Sequence, residues 1–155
     1  MNADLNGKIV LVTGGAGGIG SVISKSFAEQ NAKVVVHYHN SKNNAIKIAK
    51  DIGGTAIGAD LTNSENTTTL FNEILEKEGK IDICVANAGN YPRESMPLWD
   101  IDDERWSNTV ATNLSLTFNT AREFLKHASK TKKGSLVLVG STAGIYGEAG
   151  HSDYA

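Results

Sequence analysis

The sequence feature that most constrains the fold is an alternation of short apolar runs with longer stretches of helical periodicity. Five runs are apolar and rich in β-branched residues: Lys8–Val12, Lys33–Tyr38, Thr55–Ile57, Ile81–Ala86 and Ser135–Val139. Apolar runs this continuous suit strands that are covered on both faces, as in a parallel sheet. Strands that alternate with helices predict βαβ units, in which helices cover both faces of the sheet.

The stretches between these runs repeat apolar residues at the spacing of one helix face. The shorter sets are Ile19, Val22, Ile23 and Phe27; Ala45, Ile48, Ala49 and Ile52; and Leu70, Phe71, Ile74 and Leu75. A longer stripe contains Trp106, Val110, Asn113, Thr117, Ala121, Phe124 and Ala128. The polar Asn113 is inconsistent with that stripe. The pattern predicts an α/β, doubly wound parallel sheet of five strands in order 3-2-1-4-5, a Rossmann fold with its ligand crevice at the carboxyl ends of the strands.

Composition excludes several classes of protein. The chain has 155 residues, 40% hydrophobic and 21% charged, which is the balance of a globular domain. Lys and Arg number 15 and Asp and Glu 17, so the net charge of −2 lacks the basic footprint of a nucleic-acid binder. No stretch approaches the ~18 apolar residues of a membrane span, and the first residues do not resemble a signal peptide. A single Cys excludes an intramolecular disulfide and fits a reducing compartment, so we expect a cytoplasmic protein. The net charge and the lack of a long apolar stretch lead us to expect neither nucleic-acid nor membrane partners.

A glycine-rich turn, Thr13–Gly20, follows the first predicted strand and precedes the first predicted helix. A phosphate group needs backbone N–H donors, a helix N-terminus and no side chain in its way. Gly14 can make the sharp turn out of the strand, Gly18 can let a pyrophosphate approach the backbone, and Gly20 can let the helix pack closely. The strand before and the helix after favour a dinucleotide site over a flexible loop, with Ile19 among its contacts.

The spacing of this turn resembles that of the short-chain dehydrogenase/reductase family, whose pattern is Thr-Gly-x-x-x-Gly-x-Gly. Thr13, Gly14, Gly18 and Gly20 match that pattern. The intervening glycines also allow the other dinucleotide-binding spacing, Gly-x-Gly-x-x-Gly, so the turn alone leaves the family open. The motifs further along the chain extend the resemblance.

A second motif follows the fourth predicted strand. Asn87, Ala88 and Gly89 match the family pattern Asn-Asn-Ala-Gly, while Ala86 stands where the family has its first Asn. The resemblance implies that the three matching residues line the adenine ribose of the cofactor. It also implies that Ala86 removes one hydrogen bond near the sheet without abolishing cofactor binding. Without the family, this segment is a strand that ends in a glycine turn.

Asp60 and Leu61 follow the third predicted strand. The resemblance implies that the Asp60 carboxylate hydrogen-bonds the adenine amino group, helped by the backbone of Leu61. The alternative for Asp60 is an ordinary helix N-cap, a role for which Asp is well suited. Both interpretations stay open at the level of sequence.

The end of the second predicted strand bears on the choice of cofactor. An acidic residue here would accept the ribose 2′-hydroxyl of NAD, but the position holds Tyr38. No carboxylate is there to repel a 2′-phosphate, and Ser41 and Lys42 can bind one, so we expect NADP, with NAD as the alternative. The nearby His37 and His39 are not expected to converge on one ion, and we predict no metal site.

Three polar residues complete the resemblance. Ser141 follows the fifth predicted strand, Tyr154 lies further on, and Asn113 lies on the long helical stripe. The resemblance implies that Ser141 holds a substrate carbonyl oxygen and that Tyr154 is the general acid in reduction and the general base in oxidation. It implies that Asn113 anchors a water that relays protons. Taken singly, these residues have ordinary interpretations as a loop Ser, a packed Tyr and a helix Asn. Their order along the chain, after the glycine turn and the Asn87–Gly89 motif, is what predicts an oxidoreductase.

The resemblance covers essentially the whole chain but only about the first three-fifths of a typical family member. The family has a Lys four residues after its Tyr, which stabilises the tyrosinate, and that position would lie past Ala155. We therefore expect residues 1–155 to form one NAD(P)-binding Rossmann domain that lacks its C-terminal part and is catalytically impaired. The segment between Ser141 and Tyr154 is similar to those of 3-oxoacyl-carrier-protein reductases and hydroxyacyl-CoA dehydrogenases.

Two hypotheses of function follow. The first is NAD(P)(H)-dependent hydride transfer between nicotinamide and a small-molecule carbonyl or alcohol substrate, with 3-oxoacyl reduction as its finer form. For that hypothesis the resemblance implies a homo-oligomer of the full-length protein. The alternative is a non-catalytic nucleotide-binding module or an inactive fragment that uses the fold without the chemistry.

Overall fold

The computed structural model describes residues 4–155, which form a parallel sheet with helices on both faces. The strands are β1 (Ile9–Val12), β2 (Lys33–Tyr38), β3 (Thr55–Gly58), β4 (Ile83–Ala86) and β5 (Ser135–Leu138). Neighbouring strands are parallel throughout, in the order β3-β2-β1-β4-β5. The fold class and the strand order predicted from the sequence are therefore confirmed.

Helices connect the strands in the described part of the chain. They are α1 (Gly18–Glu29), α2 (Lys42–Asp51), α3 (Ser64–Glu78), α4 (Asp103–Thr109), α5 (Leu116–Thr131) and α6 (Ala143–Tyr146). A 3-10 turn spans Leu98–Asp100, and a π-helical segment, Val110–Ser115, joins α4 directly to α5. The long predicted helix is thus continuous but contains an irregular turn around Asn113. Among residues 4–155, no helix combines the length and the apolar character needed to cross a membrane.

Two apolar layers enclose the sheet. On one face, Leu11 of β1 belongs to a buried cluster with Ile74 of α3 and Phe124 of α5. On the other face, Val12 belongs to a cluster with Ala45 of α2. Successive strand residues point to opposite faces, so β1, which is buried at every position, contributes to both layers. The central strands are therefore covered on both sides, as their continuous apolar sequences predict.

Helix α1 buries only part of the face that its apolar spacing predicts, since Ile23 and Phe27 pack against the core while Ile19 and Val22 do not. Ile19 and Val22 are 65% and 63% exposed, whereas the buried positions of the helix are Gly20 and Ser24. Small residues face the sheet because a Cβ on Gly20 would overlap the carbonyl oxygen of Gly14. The N-terminus of α1 consequently lies directly against the turn that leaves β1.

Strand β5 lies at one edge of the sheet and differs from the other apolar runs in its exposure. Val137, Leu138 and Val139 are 47%, 57% and 40% exposed. Coverage on both faces, which continuous apolar runs favour, therefore does not extend to β5 within the described residues. Within the described residues β5 pairs with β4 on one side only, and its partly buried Leu136 packs against the cluster that contains α5.

Candidate active site

A cleft of about 1140 Å³ lies at the carboxyl end of the sheet, along the residues that follow β1, β2, β3 and β4. Most of the residues predicted to bind a cofactor line it: Gly14, Gly18, Ile19, Gly20, Tyr38, Ser41, Asp60, Leu61, Asn87, Ala88 and Gly89. Thr13 and Lys42 do not line the cleft. The cleft occupies the place predicted for the ligand crevice, and it brings four separate stretches of sequence together.

Thr13 is fully buried beneath the cleft. Its Oγ1 accepts hydrogen bonds from the backbone N–H groups of Asn87 at 2.9 Å and Ala88 at 3.0 Å. The same hydroxyl donates to the carbonyl oxygen of Val85 at 3.3 Å, and Asn87 Nδ2 donates to the Thr13 carbonyl oxygen at 2.9 Å. Thr13 thereby joins the turn after β1 to the loop after β4 and fixes the two walls of the cleft relative to each other.

The glycine turn presents backbone rather than side chains to the cleft. Gly14 has a φ of +62°, a left-handed conformation that favours glycine. At Gly18, the first residue of α1, no described atom lies within 4 Å of the place where a Cβ would be. The helix N-cap is Gly17, which has no side chain that could cap the first N–H groups, and the first turn of α1 holds no acidic residue. Open space, unpaired N–H groups and the positive end of the helix dipole fit a pyrophosphate group.

The end of β2 lies at the same cleft. The Tyr38 ring is half-buried and packs across Gly58 of the neighbouring β3. Lys42 begins α2 as an exposed residue outside the cleft lining. Among the described residues that line the cleft, Asp60 is the one carboxylate and Arg93 the one Lys or Arg. Sequence reasoning missed Arg93, and the available signal was a basic residue in the Pro-containing segment after β4.

His37 contacts the glycine turn in a way that sequence reasoning also missed. Its side chain is 2% exposed, its Nδ1 accepts from the Gly14 N–H at 3.1 Å, and its Nε2 lies 3.0 Å from the Ala59 carbonyl oxygen. Burial lowers the pKa of His37 to about 4. His39 is exposed beyond the end of β2. The part of the chain that the structure describes contains no group of three or more His, Cys, Asp or Glu residues arranged to hold a metal ion.

Asp60 is not the N-cap of α3, so that interpretation of the sequence is wrong. The helix begins later, and its cap is Asn63, whose Oδ1 accepts from the backbone N–H groups of Glu65 at 2.9 Å and Asn66 at 3.0 Å. Asp60 Oδ1 instead accepts from the N–H of Thr62 at 3.0 Å and from its hydroxyl at 2.7 Å. The hydroxyl bond lowers the pKa of Asp60, which keeps the carboxylate at the cleft ionised.

Asn113 lies in the π-helical segment, which accounts for a polar residue on an apolar stripe. Its Nδ2 donates to the carbonyl oxygens of Thr109 at 3.0 Å and Asn90 at 2.9 Å, and its Oδ1 accepts from the Asn90 N–H at 2.9 Å. π-Helical turns inside α-helices are rare overall, and those that do occur frequently lie at functional sites. In this structure the Asn113 side chain fastens the loop after β4 to the helix that follows it.

The two predicted catalytic hydroxyls lie outside the set of residues that line the cleft. Ser141 is exposed after β5, and its Oγ accepts from the Ala143 N–H at 3.2 Å at the start of α6. Tyr154 is half-buried, with its ring edge against Tyr91 at a centroid distance of 5.1 Å. Among the described residues, Ser141 and Tyr154 have no hydrogen-bond partner in common.

A buried ion pair holds the residue before Tyr154, and no sequence pattern predicted it. Arg105 Nε donates to Asp153 Oδ2 at 2.9 Å, and the Thr109 hydroxyl donates to the same oxygen at 3.0 Å. The side chain of Asp153 is fully buried and that of Arg105 is 15% exposed. The Arg105 guanidinium, and then the Thr109 hydroxyl, hold the pKa of Asp153 below its usual range although burial opposes them. The pair therefore anchors the Tyr154 segment to α4.

Comparison with known proteins identifies the same family as the motifs do. The family model described as short chain dehydrogenase matches residues 8–155. The chain is similar to the 3-oxoacyl-(acyl-carrier-protein) reductases of Vibrio cholerae, at 34% identity over 154 residues, and Thermotoga maritima, at 32% over 156. These alignments cover 98% and 97% of this chain and 62% of each relative. It is also similar to glucose 1-dehydrogenase 2 of Bacillus subtilis, at 34% over 147 residues, which cover 91% of this chain and 57% of that relative.

The chain thus spans about three-fifths of the length of the curated relatives that it matches. The match nevertheless includes the glycine turn, the sheet and the residues up to Ala155. Fold, motif order and family model agree along nearly the whole sequence. The chain therefore belongs to the short-chain dehydrogenase family.

Proposed function

We propose that the protein is an NADP(H)-dependent oxidoreductase that transfers hydride between nicotinamide and a carbonyl or alcohol substrate. The observation that carries this proposal is the cleft, in which an uncapped helix N-terminus and the loop Asn87–Gly89 lie side by side. The buried Thr13 hydroxyl bonds the two walls to each other, so the cleft is formed by the chain itself. Membership of the short-chain dehydrogenase family supports the same conclusion.

In this proposal the glycine turn holds the pyrophosphate and the region around Asp60 holds the adenine. The backbone N–H groups at the start of α1 bind phosphate oxygens, which no side chain obstructs at Gly18. Asp60 is ionised and accepts hydrogen bonds, and Leu61 and Asn87–Gly89 provide the neighbouring surface. The bound nicotinamide supplies or accepts the hydride.

The proton in the proposed reaction comes from this chain. The Ser141 hydroxyl donates a hydrogen bond to the substrate carbonyl oxygen, and the Tyr154 hydroxyl donates the proton in reduction and takes it back in oxidation. The Arg105–Asp153 ion pair supports Tyr154 from the adjoining position, because it is buried and fixes the backbone there. Asn113 supports the loop at Asn90 that borders the cleft.

We infer that the substrate is a 3-oxoacyl thioester or a related small carbonyl compound. The support is that the similar proteins of Vibrio cholerae and Thermotoga maritima are 3-oxoacyl-(acyl-carrier-protein) reductases, together with the family match, which includes Ser141 and Tyr154. The glucose 1-dehydrogenase of Bacillus subtilis is as similar in identity, so a sugar is the second substrate class to test.

The charge around the end of β2 supports a preference for NADP. Tyr38 ends β2 where an NAD-specific site would have a carboxylate, and Ser41 beside it lines the cleft. Arg93 is a cationic residue of the cleft lining, and Lys42 lies next to Ser41 at the start of α2. A 2′-phosphate therefore meets no acidic side chain at the end of β2.

The activity is tested by following NADPH oxidation with acetoacetyl-CoA and, separately, NADP reduction with glucose. Tyr154→Phe should lower kcat by about 100-fold or more, because it removes one hydroxyl that moves a proton. The matched control is Tyr146→Phe, since Tyr146 is 84% exposed and takes no part in the proposal. Because residues 1–155 are expected to be catalytically impaired, the readout is the residual rate of each variant relative to wild type. An equal loss of that rate in both variants would count against the proposed reaction.

Cofactor choice is tested by the Kd values of NADPH and NADH, measured by quenching of protein fluorescence. We expect the wild-type protein to prefer NADPH and Tyr38→Asp to shift the ratio of Kd values toward NADH by roughly tenfold, or about 1.4 kcal/mol. Tyr38→Phe is the matched control, which keeps the ring over Gly58 and adds no charge. A wild-type preference for NADH would contradict the NADP proposal and leave the fold assignment untouched.

A further inference from the structure

The imidazole of His37 is held in one tautomer by its two hydrogen bonds. Its Nδ1 lies 3.1 Å from the backbone nitrogen of Gly14, which is an N–H donor, so Nδ1 must be the acceptor and carry no proton. Its Nε2 lies 3.0 Å from the carbonyl oxygen of Ala59, which can only accept, so Nε2 must be protonated. The pair of contacts therefore requires a neutral ring with its proton on Nε2.

These bonds join the carboxyl ends of three adjacent strands. Gly14 begins the turn after β1, His37 lies in β2 and Ala59 follows β3. The main chain of His37 adds a third bond, since its carbonyl oxygen accepts from the Gly15 N–H at 2.9 Å. Both amides at the start of the glycine turn are thus bonded to one residue.

The position of Gly14 matters because the rest of the turn depends on it. Its φ of +62° directs the chain out of β1, and its carbonyl oxygen accepts from the Gly17 N–H at 2.9 Å. The same region of Gly14 lies against Gly20 of α1, where a Cβ would not fit. A change at the Gly14 amide therefore moves the N-terminus of α1, where the phosphates are proposed to bind.

Protonation of the ring would reverse the contact with Gly14. A charged imidazolium carries N–H groups on both nitrogens, so Nδ1–H would face the Gly14 N–H, donor against donor. Burial opposes that state and lowers the pKa of His37 to about 4. The nearby titratable side chains are few. His39, beyond the end of β2, lowers the pKa of His37 further by charge repulsion, and Asp60 follows Ala59 on the β3 side. The glycine turn contains no titratable side chain.

We propose that His37 is a positioning residue for the nucleotide: its neutral ring, protonated on Nε2, fixes the Gly14 amide and with it the phosphate-binding turn. This inference rests on the proposed nucleotide-binding function. His37 acts through Gly14 rather than on the ligand's reacting atoms. A matched pair of amide substitutions separates the acceptor role of Nδ1 from the donor role of Nε2.

The test compares His37→Asn with His37→Gln. The Asn amide oxygen occupies the place of Nδ1 and can accept from Gly14, whereas the longer Gln amide reaches the place of Nε2 and leaves the Gly14 N–H without an acceptor. The Kd of NAD⁺ is measured by calorimetry on the whole protein at pH 7. We expect Asn to stay within about threefold of wild type and Gln to weaken binding about tenfold. Equal Kd values for the two variants would overturn the proposal.

A pH series on the same proteins separates positioning from a purely structural role. The wild-type Kd should stay level down to about pH 5 and rise as the pH falls through about 4, where the His37 ring takes up a proton. The Asn variant, which has no ring to protonate, should lack that rise. NAD⁺ has no 2′-phosphate, and its own titration is common to both proteins, so the difference between them is the readout. Parallel profiles for wild type and the Asn variant would refute the acceptor role.

The tautomer itself is measured on the wild-type protein, independently of whether any variant folds. Long-range ¹H–¹⁵N correlation spectra at pH 7 should show His37 with a protonated Nε2 and a bare Nδ1. A proton on Nδ1 would overturn the inference. Failure of the wild type to bind NAD⁺ or NADPH would instead overturn the proposed function, and these spectra would still decide the bond to Gly14.

Discussion

The two halves of the molecule hold their predicted site residues by different means. In the half built from β1, β2 and β3, the site consists mostly of backbone at the end of buried strands, and Val12 is fully buried. In the half that contains β5, the predicted hydroxyls follow an exposed strand, where Leu138 is 57% exposed. The first half combines close backbone packing with two buried polar side chains, Thr13 and His37. The second half relies on side-chain ties such as Arg105–Asp153.

The two halves are therefore expected to tolerate different substitutions. A backbone site fails when a Cβ is added in the wrong place, because no rotamer can relieve the overlap. A site held by side-chain ties fails one tie at a time, and each tie contributes a limited free energy. The following substitutions compare the two halves in matched pairs.

The largest expected effect comes from a pair of leucines. Leu11→Ala in β1 should lower the free energy of unfolding by about 4 kcal/mol, because the side chain is fully buried and leaves a cavity. Leu138→Ala in β5 should lower it by less than about 1 kcal/mol, because more than half of that side chain is already exposed. Urea unfolding measures both. Similar losses would mean that another surface covers β5 in solution.

The second pair separates folding from binding within the glycine turn. Gly20→Ala should lower the free energy of unfolding by about 3 kcal/mol, because its Cβ would overlap the Gly14 carbonyl oxygen. Gly18→Ala, where the space is open among the described atoms, should change stability by less than about 1 kcal/mol. It should still weaken NADPH binding roughly tenfold, since the new methyl group lies where the phosphates are proposed to bind. Tight binding by Gly18→Ala would contradict the phosphate assignment.

The third prediction concerns the tie that holds the Tyr154 segment. Asp153→Asn should lower the free energy of unfolding by about 2 kcal/mol at pH 7, because it removes the charge that faces Arg105. The pKa of Asp153 is lowered in the folded protein, so the ion pair stabilises above the ordinary carboxyl pKa and is lost as the pH falls below it. The difference between variant and wild type should therefore shrink below about pH 4. Asp100→Asn is the exposed control, and a loss as large there would refute the assignment.

The smallest expected effect tests the corrected roles of two residues before α3. Asn63→Ala should cost about 1 kcal/mol of stability, because Asn63 is the helix N-cap. Asp60→Ala should cost roughly half as much, since it removes only a local turn, but it should weaken nucleotide binding. Thermal unfolding and the Kd of NADPH measure the two effects. The reverse order of stabilities would restore Asp60 as the structural residue.

Much of the nucleotide half could be predicted because local sequence determines it. Continuous apolar runs gave the strands, and the glycines between β1 and α1 predicted the open turn and the close packing of Gly20. The exposure of Ile19 could not be predicted from periodicity, because the close approach of Gly20 sets which face of α1 meets the sheet. Asp60 is not the cap because α3 begins at Ser64, directly after Asn63, whose side chain accepts from two backbone N–H groups of the first turn.

Contacts between residues that are far apart in the chain could not be predicted from the sequence. Arg105 and Asp153 are 48 positions apart, and neither belongs to a motif. The bonds of Asn113 to Asn90 span 23 positions, although the misplaced polar residue did mark the site. The sequence assigns no role to His37 once a metal site is set aside, whereas the structure places both of its ring nitrogens against backbone atoms. Such contacts depend on how the elements pack, which no local pattern contains.

The π-helical segment has a consequence for the phase of the helix that contains it. A π turn accommodates one residue more than an α turn, and each residue advances the helix by about 100°. Deleting one residue from Val110–Ser115 would restore regular winding and turn α4 by about that angle relative to α5. Phe124 would stay in the core while Arg105 rotated away from Asp153. The extra residue thus rotates α4 relative to α5, so that Phe124 can face the core while Arg105 faces Asp153.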